Sequence, residues 1–150
     1  MLKEIKWAWK SFQEFSTDEL YEILSFRQEI FSVEQESWYL DADGLDQDAV
    51  HLLGINEHKL VAYLRLIKPK LLYSESSLGR ILVHRDFRAN GLGHYLVDEG
   101  KRKSLSLFPG EPIRISAQEH LEKFYNGHGF NKEGEVYDED GIPHVSMVTK

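Results

Sequence analysis

The chain has 150 residues, of which 41% are hydrophobic and 12% aromatic, and its formal net charge is -7 at pH 7. This length and composition predict a single globular domain over residues 1–150, since such a chain can bury about two thirds of its unfolded surface. The net negative charge disfavours nucleic acid as a partner, because it repels phosphate backbones.

Membrane association, disulfide bonding and metal binding are also disfavoured. Apolar runs such as Ile81-Leu82-Val83 are short, whereas a membrane-spanning helix needs about 20 apolar residues. The N-terminal residues lack a signal-peptide pattern. Cysteine is absent, so disulfides, thiolate metal sites and a cysteine acyl-enzyme are excluded, and no histidine pair has helical zinc-site spacing. We therefore expect a cytoplasmic protein without membrane contact or metal.

The first predicted elements are an edge strand and a helix. Trp7 and Trp9 alternate with Lys6 and Lys10, as in a strand at the edge of a sheet. Ser16 followed three residues later by Glu19 is a capping-box pattern, and the apolar residues after it recur at helical spacing. This pattern predicts a helix over residues 17–31.

The middle of the chain is predicted to be a long loop followed by three strands. Residues 31–49 are acidic and aromatic without a sustained period, which is typical of a loop that carries function. Three apolar runs predict strands over residues 50–55, 60–67 and 78–83, and the first two are expected to form a hairpin.

The second half of the chain alternates between helices and strands. Helical spacing from Leu92 onwards predicts a helix, followed by a strand over 113–116 and a helix over 118–126. Residues 135–137 and 145–148 are predicted to form a terminal hairpin. The whole pattern indicates an α/β fold of the α+β type, with helices on the faces of a mixed sheet.

A glycine-punctuated turn joins the third of these strands to the following helix. Its sequence is Arg88-Ala89-Asn90-Gly91-Leu92-Gly93, and its successive N–H groups can form an anion cradle where the helix begins. The dinucleotide fingerprint would need glycine at position 96, where this chain has Leu96, and no P-loop pattern is present. The hexapeptide alone is equally consistent with a tight turn that needs positive φ.

In its context, this R-x-x-G-x-G turn resembles the acetyl-CoA pyrophosphate loop of the GNAT acetyltransferase superfamily. Residues 117–130 resemble the second GNAT signature, in which a strand leads into a helix that ends in Tyr, three residues and Gly-Phe. Residues 31–35, the acidic loop 41–46 and the hairpin 136–144 resemble the ElaA family of bacterial GNAT proteins. The resemblance covers nearly the whole chain and implies the GNAT acyl-CoA N-acyltransferase fold with acetyl-CoA as co-substrate.

The resemblance also implies which residues bind the cofactor. The loop amides would hold the pyrophosphate, the preceding strand would hold the pantetheine arm, and one glutamine stands where the superfamily often has asparagine. The glutamine is Gln118, and the strand residues at the pantetheine arm are Leu82 and Val83. The pyrophosphate loop consists of Arg88, Ala89, Asn90, Gly91, Leu92 and Gly93.

The catalytic residues are implied less completely. Tyr125 falls where many GNAT enzymes place the acid that protonates the leaving thiolate, although a tyrosine before Gly-Phe could also be a core residue. The glutamate base that many GNAT enzymes carry before the pyrophosphate loop is missing from residues 78–83. His144 and Glu34 are the two candidates to replace it, and His144 is favoured because histidine titrates near neutral pH. A histidine at a hairpin end can also be a plain surface residue.

Asp41, Asp43 and Glu139 are interpreted as an acidic wall that holds the ammonium group of the acceptor. The two aspartates could instead cap turns, and a calcium site is disfavoured because the EF-hand spacing is absent.

The sequence therefore predicts an N-acetyltransferase that moves acetyl from acetyl-CoA to an amine by direct attack in a ternary complex. The acceptor could be a polyamine-like or aminoglycoside-like small molecule, or a peptide amine. The alternative is a non-catalytic acyl-CoA-binding or regulatory module, because a fold does not determine a function.

Overall fold

The structure, a computed structural model, describes residues 4–150. Within this part of the chain seven strands form one mixed sheet. They are β1 (Lys6–Ser11), β2 (Val50–Asn56), β3 (Lys59–Ile67), β4 (Ser76–Val83), β5 (Ile113–Gln118), β6 (Asn131–Glu139) and β7 (Ile142–Val148). Their order across the sheet is β1-β2-β3-β4-β5-β7-β6, and β4 with β5 is the parallel pair among antiparallel neighbours.

The α-helices of the described residues are α1 (Thr17–Gln28), α2 (Leu92–Leu107) and α3 (Glu122–Asn126), and short 3-10 helices lie between some of the elements. A π-helical segment, Glu29–Glu34, continues α1. None of the helices formed by residues 4–150 is both long enough and apolar enough to cross a bilayer.

The predicted strands are confirmed, with bounds that differ by a few residues, and β1 lies at the sheet edge as the tryptophan alternation predicted. The capping box is also confirmed, since the Glu19 amide donates to Ser16 Oγ at 3.0 Å and the Ser16 amide donates to Glu19 Oε1 at 2.8 Å.

Two helix predictions are wrong in extent. The α-helix ends at Gln28, and the π-helical segment occupies the beginning of the predicted loop 31–49. Gln118 is not helical, because it belongs to β5 and pairs with His144 of β7. For Gln118 this pairing with a distant strand overrides the local apolar spacing.

Apolar side chains pack on both faces of the sheet. Tyr63 and Leu64 of β3 are both 0% exposed and, as successive strand residues, point to opposite faces. Tyr63 packs with Ile23 and Phe26 of α1, whereas Leu64 packs in the core that includes Leu96 of α2. The two helices therefore cover opposite faces of the sheet.

The sheet opens between β4 and β5. These strands pair only at Ser76 with Ile113 and at Ser77 with Arg114, and no further pairing joins them. On its other side β4 remains paired with β3, but the register shifts. Gly79 pairs with Arg65 and Leu82 pairs with Tyr63, so β4 has one more residue between these two pairs than β3 has. The irregularity is a β-bulge that bends β4 away from β5.

A buried ion network, formed by Arg27, Arg65, Arg80, Asp41, Asp43 and Asp46, ties the loop 41–46 to the sheet and to α1. Arg27 is 1% exposed and donates to Asp41 Oδ2 at 2.7 Å and to Asp46 Oδ1 at 2.8 Å. Arg65 of β3 donates to Asp43 and to Asp46, each at 2.9 Å. Three arginines face three aspartates, so the network is formally neutral.

Replacing Arg27 should strongly destabilise the protein. In Arg27→Gln two buried carboxylates lose a charged partner, and breaking a buried ion pair in this way costs about 3–5 kcal/mol. Urea unfolding followed by circular dichroism measures the change in the free energy of unfolding. Arg102→Gln is the control, because Arg102 pairs with Glu99 on the exposed side of α2, and it should leave stability unchanged within error. Equal stability of the two variants would contradict this role for Arg27.

Candidate active site

A cavity of about 750 Å³ occupies the opening between β4 and β5. The π-helical segment and the β6–β7 hairpin also contribute to its walls. Tyr125, His144 and Glu34, the three residues predicted to be catalytic, all line it, as do Leu82, Val83 and Gln118. The structure therefore brings residues from five separate parts of the chain to one cavity.

The turn before α2 presents free backbone donors. Gly91 has φ +79° and is the N-cap residue, and the first helical bond at this end runs from the Tyr95 amide to the Gly91 carbonyl at 3.1 Å. The amides of Leu92, Gly93 and His94 make no hydrogen bond to any of residues 4–150. A Cβ built on Gly91 would meet nothing within 4 Å, so the space in front is open. Unpaired amides at a helix N-terminus suit a diphosphate.

The other residues of the turn stabilise its shape. Ala89 also has positive φ, at +64°, whereas Gly93 does not and is already helical. The Asn90 side chain donates to the carbonyls of Phe87 at 3.3 Å and Arg88 at 3.2 Å. The Arg88 amide donates to the Arg85 carbonyl at 3.5 Å, so this amide is less free than those that follow.

Glu34 is not a free carboxylate. Its Oε2 lies 2.9 Å from Arg88 Nη1, and Arg88 Nη2 donates to Oε1 at 3.3 Å. Arg88 Nε also donates to the Val83 carbonyl at 3.0 Å. The predicted base therefore forms a two-point ion pair with the first residue of the predicted cofactor loop, which weakens the case for Glu34 as a base.

Beyond Ser77, β4 has no neighbouring strand on its β5 side. This edge includes Leu82 and Val83, and its unpaired backbone groups can bind an extended ligand in the cavity. The Val83 carbonyl is an exception, since it already accepts from Arg88 Nε. Gln118, at the end of β5, donates to the Gln35 side chain at 3.3 Å across the cavity.

Tyr125 lies in α3, where its ring is packed in the core. The ring stands edge-on to Phe124 and Phe130, with centroids 5.0 and 5.9 Å away. Its hydroxyl makes no hydrogen bond to any described residue, although the side chain lines the cavity. Burial raises the pKa of Tyr125 to about 12, so the phenol is protonated at neutral pH. The tyrosine is thus both a core residue and a proton-bearing group at the cavity.

His144 is 7% exposed and lies in a polar cluster, so the surface interpretation is wrong. Its Nδ1–H donates to the Ile142 carbonyl at 2.8 Å, which leaves Nε2 as the atom that can take up a proton. Nε2 lies 3.3 Å from Glu139 Oε2, and Glu139 Oε1 accepts from Ser116 Oγ at 2.9 Å. A carboxylate in this position can orient the imidazole ring of a histidine.

Asp41 and Asp43 do not form an open acidic wall. Asp41 is 6% exposed and pairs with Arg27 and Arg80, while Asp43 pairs with Arg65 and Arg80. Burial alone would raise the pKa of Asp43, but hydrogen bonds and the charge of Arg65 outweigh it and lower the pKa to about 2. The structure therefore assigns both carboxylates to ion pairs within the chain, and Glu139 alone of the predicted wall lines the cavity without an arginine partner.

Sequence reasoning missed Arg80, which lines the cavity from the bulge of β4. The available signal was a charged residue inside the apolar run 78–83, because such a residue needs a partner when the strand is buried. No group of three or more His, Asp or Glu side chains within residues 4–150 is arranged to hold a metal ion.

A sheet that splits between two parallel strands, with an amide cradle after the first and a tyrosine after the second, defines the fold class of acyl-CoA N-acyltransferases. Residues 13–150 match the family model described as an acetyltransferase (GNAT) domain. The chain belongs to this GNAT family. A UPF0039 protein of Synechocystis sp. is 46% identical over 97% of this chain and 95% of its own length. Protein ElaA of Escherichia coli is 37% identical over 96% of this chain and 95% of its own length.

Solved structures agree with this membership. An acyl-CoA N-acyltransferase from Pseudomonas aeruginosa superposes with a TM-score of 0.93 at 36% identity, covering 97% of this chain and 99% of its own. Escherichia coli ElaA gives a TM-score of 0.91 at 35% identity, with the same coverage of 97% and 99%. The expected resemblance to the ElaA family and the expected GNAT fold are therefore confirmed.

Proposed function

We propose that the protein is an N-acetyltransferase that transfers acetyl from acetyl-CoA to an amine by direct attack while both substrates are bound. The observation that carries the proposal is the cavity in the open sheet, which is lined by Tyr125, by His144 and by Arg88, the first residue of the turn before α2. The Pseudomonas aeruginosa relative, described as an acyl-CoA N-acyltransferase, supports the same reaction class.

Acetyl-CoA, when bound, supplies the acetyl group as an activated thioester. In this proposal the free amides of Leu92, Gly93 and His94 bind its diphosphate, and the unpaired edge of β4 near Leu82 and Val83 binds its pantetheine arm. A β4 amide near Val83 polarises the thioester carbonyl as an oxyanion donor.

The proton transfers are assigned to two side chains. His144 Nε2 removes a proton from the acceptor ammonium, and Glu139 stabilises the resulting imidazolium from 3.3 Å away. The amine nitrogen then forms the new C–N bond as the C–S bond breaks, and Tyr125 donates its phenolic proton to the leaving sulfur. The second proton that the nitrogen loses as the amide forms restores the phenol of Tyr125, so the net proton released is the one held by His144. The chain has no cysteine to carry the acetyl group, so direct transfer is the simplest route.

The second candidate is a non-catalytic acyl-CoA-binding module. It is favoured by two observations, because β4 carries no carboxylate in the cavity and Glu34 is paired with Arg88. Release of free thiol from acetyl-CoA across a panel of amines distinguishes the two. Turnover with at least one amine supports the enzyme, whereas tight acetyl-CoA binding without turnover supports the module.

Gly91→Val should weaken acetyl-CoA binding at least about tenfold. A β-branched residue is strained at φ +79°, and its side chain would fill the open space before the free amides. Isothermal titration calorimetry measures the affinity. Gly110→Val is a matched control, because Gly110 has φ +81° and open surroundings but lies in the turn after α2. A folded Gly91→Val protein with wild-type affinity would disprove the cradle assignment.

Tyr125→Phe should lower kcat roughly 10- to 1000-fold with little change in acetyl-CoA affinity. The ring that packs against Phe124 and Phe130 is retained, and only the proton donor is lost. Tyr21→Phe, at a residue that is 77% exposed on α1, is the control. An unchanged kcat in Tyr125→Phe would leave Tyr125 with a packing role alone.

The base is assigned by a pH profile of kcat/KM. A histidine base must be neutral, so kcat/KM should fall as the pH is lowered through the range in which histidine titrates. His144→Gln should remove this acidic limb and lower the maximum. Glu34→Gln should retain the limb, since Glu34 is paired with Arg88. The reverse pattern in the two variants would assign the base to Glu34.

A further inference from the structure

Arg80 occupies an unusual place at the bulge of β4. Its φ is +49°, a left-handed conformation that residues other than glycine adopt at a free-energy cost. The neighbouring Gly79 has open space where a Cβ would stand, and the Arg80 side chain lines the cavity. Strained backbone of this kind persists where surrounding contacts enforce it, and it is concentrated at functional sites.

The guanidinium of Arg80 is fixed from several sides. Nη2 donates to the Asp41 carbonyl at 3.0 Å and lies 3.4 Å from Asp43 Oδ2. Nε lies 2.8 Å from Asp41 Oδ1 but is not aimed for a hydrogen bond, so this contact is an ion pair only. The guanidinium carbon also lies 5.9 Å from the ring centre of Phe31 and 5.8 Å from that of Tyr39.

Arg80 differs from the purely structural Arg27 in one respect. Arg27 is 1% exposed, and its Nε, Nη1 and Nη2 all donate to Asp41 or Asp46. The Arg80 side chain is 21% exposed, and its Nη1 makes no hydrogen bond to any of residues 4–150. A preorganised arginine that lines a cavity and keeps one donor group free is suited to bind an anion.

Tyr39 adds a second free donor next to Arg80. Its side chain lines the same cavity, and its hydroxyl makes no hydrogen bond within the described residues. Burial raises the pKa of Tyr39, so the phenol keeps its proton at neutral pH. The Nη1 group and the phenol together offer N–H and O–H donors to the two oxygens of a carboxylate.

We propose that Arg80 and Tyr39 bind a carboxylate of the acceptor, so that the acceptor is an amine that also carries a carboxylate, as an amino acid does. This inference rests on the proposed acetyl transfer, in which His144 and Glu139 receive the ammonium end. The carboxylate site at Arg80, within β4, is separate from the diphosphate site, which lies beyond Val83, the last residue of β4, at the start of α2. The opposite charges of the acceptor thus meet different walls of the cavity.

The test compares each of several amino acids with its carboxamide and its decarboxylated amine. These two comparison compounds lack the carboxylate, and their amino groups are respectively less and more basic than that of the amino acid. The wild-type protein should acetylate the amino acid with a kcat/KM at least tenfold above both, which corresponds to about 1.4 kcal/mol. A preference for the carboxamide or the amine would overturn the proposal.

Variants assign the preference to these side chains. Arg80→Gln and Tyr39→Phe should each lower kcat/KM for the amino acid at least about fivefold more than for its carboxamide, whereas Tyr21→Phe should leave the ratio unchanged. An unchanged ratio in both site variants would overturn the proposal. If Arg80→Gln does not fold by circular dichroism, Tyr39→Phe decides, because it leaves the ion pairs of Arg80 intact.

Binding separates this proposal from the proposed reaction. If no compound accepts acetyl, the acetyltransferase proposal fails, and the carboxylate site is judged by calorimetry on the protein saturated with coenzyme A. Tighter binding of the amino acid than of its carboxamide, lost in Tyr39→Phe, supports the site. Equal binding of the two compounds refutes it.

Discussion

The rest of the structure depends on the charge balance of the buried ion network. Arg27 and Arg65 lie in the interior, where an unpaired charge would cost several kcal/mol, and three aspartates from one short loop compensate them and Arg80. This pairing holds the loop 41–46 against α1, β3 and β4. A loop that is acidic by composition is therefore tied by ion pairs to a helix and to two strands.

The same network shapes the cavity. Arg80 is held at the bulge of β4 by Asp41 and Asp43, and the bulge lies where β4 leaves β5. Opening a sheet exposes backbone groups that would otherwise be paired, which is unfavourable unless a ligand or solvent satisfies them. In the proposed reaction, the extended pantetheine arm of the co-substrate would satisfy these backbone groups.

The charged side chains around the cavity are both basic and acidic. Arg88 neutralises Glu34 on the side of the amide cradle, and Arg80 is shared between two aspartates. Glu139 is the carboxylate that directly faces His144. A net charge of -7 therefore describes the outer surface of this protein better than it describes the proposed site, where each charged group has a particular partner.

Local features could be predicted from the sequence because they depend on residues a few positions apart. The capping box at Ser16, the turn from Arg88 to Gly93 and the hairpins are of this kind, and together with the family resemblance they sufficed for the fold. The partners of Asp41 could not be predicted, because Arg27 lies 14 residues away along the chain and Arg80 lies 39 residues away. Such pairings depend on strand register and on where the sheet opens, so only the tertiary structure decided whether these aspartates face a substrate or an arginine.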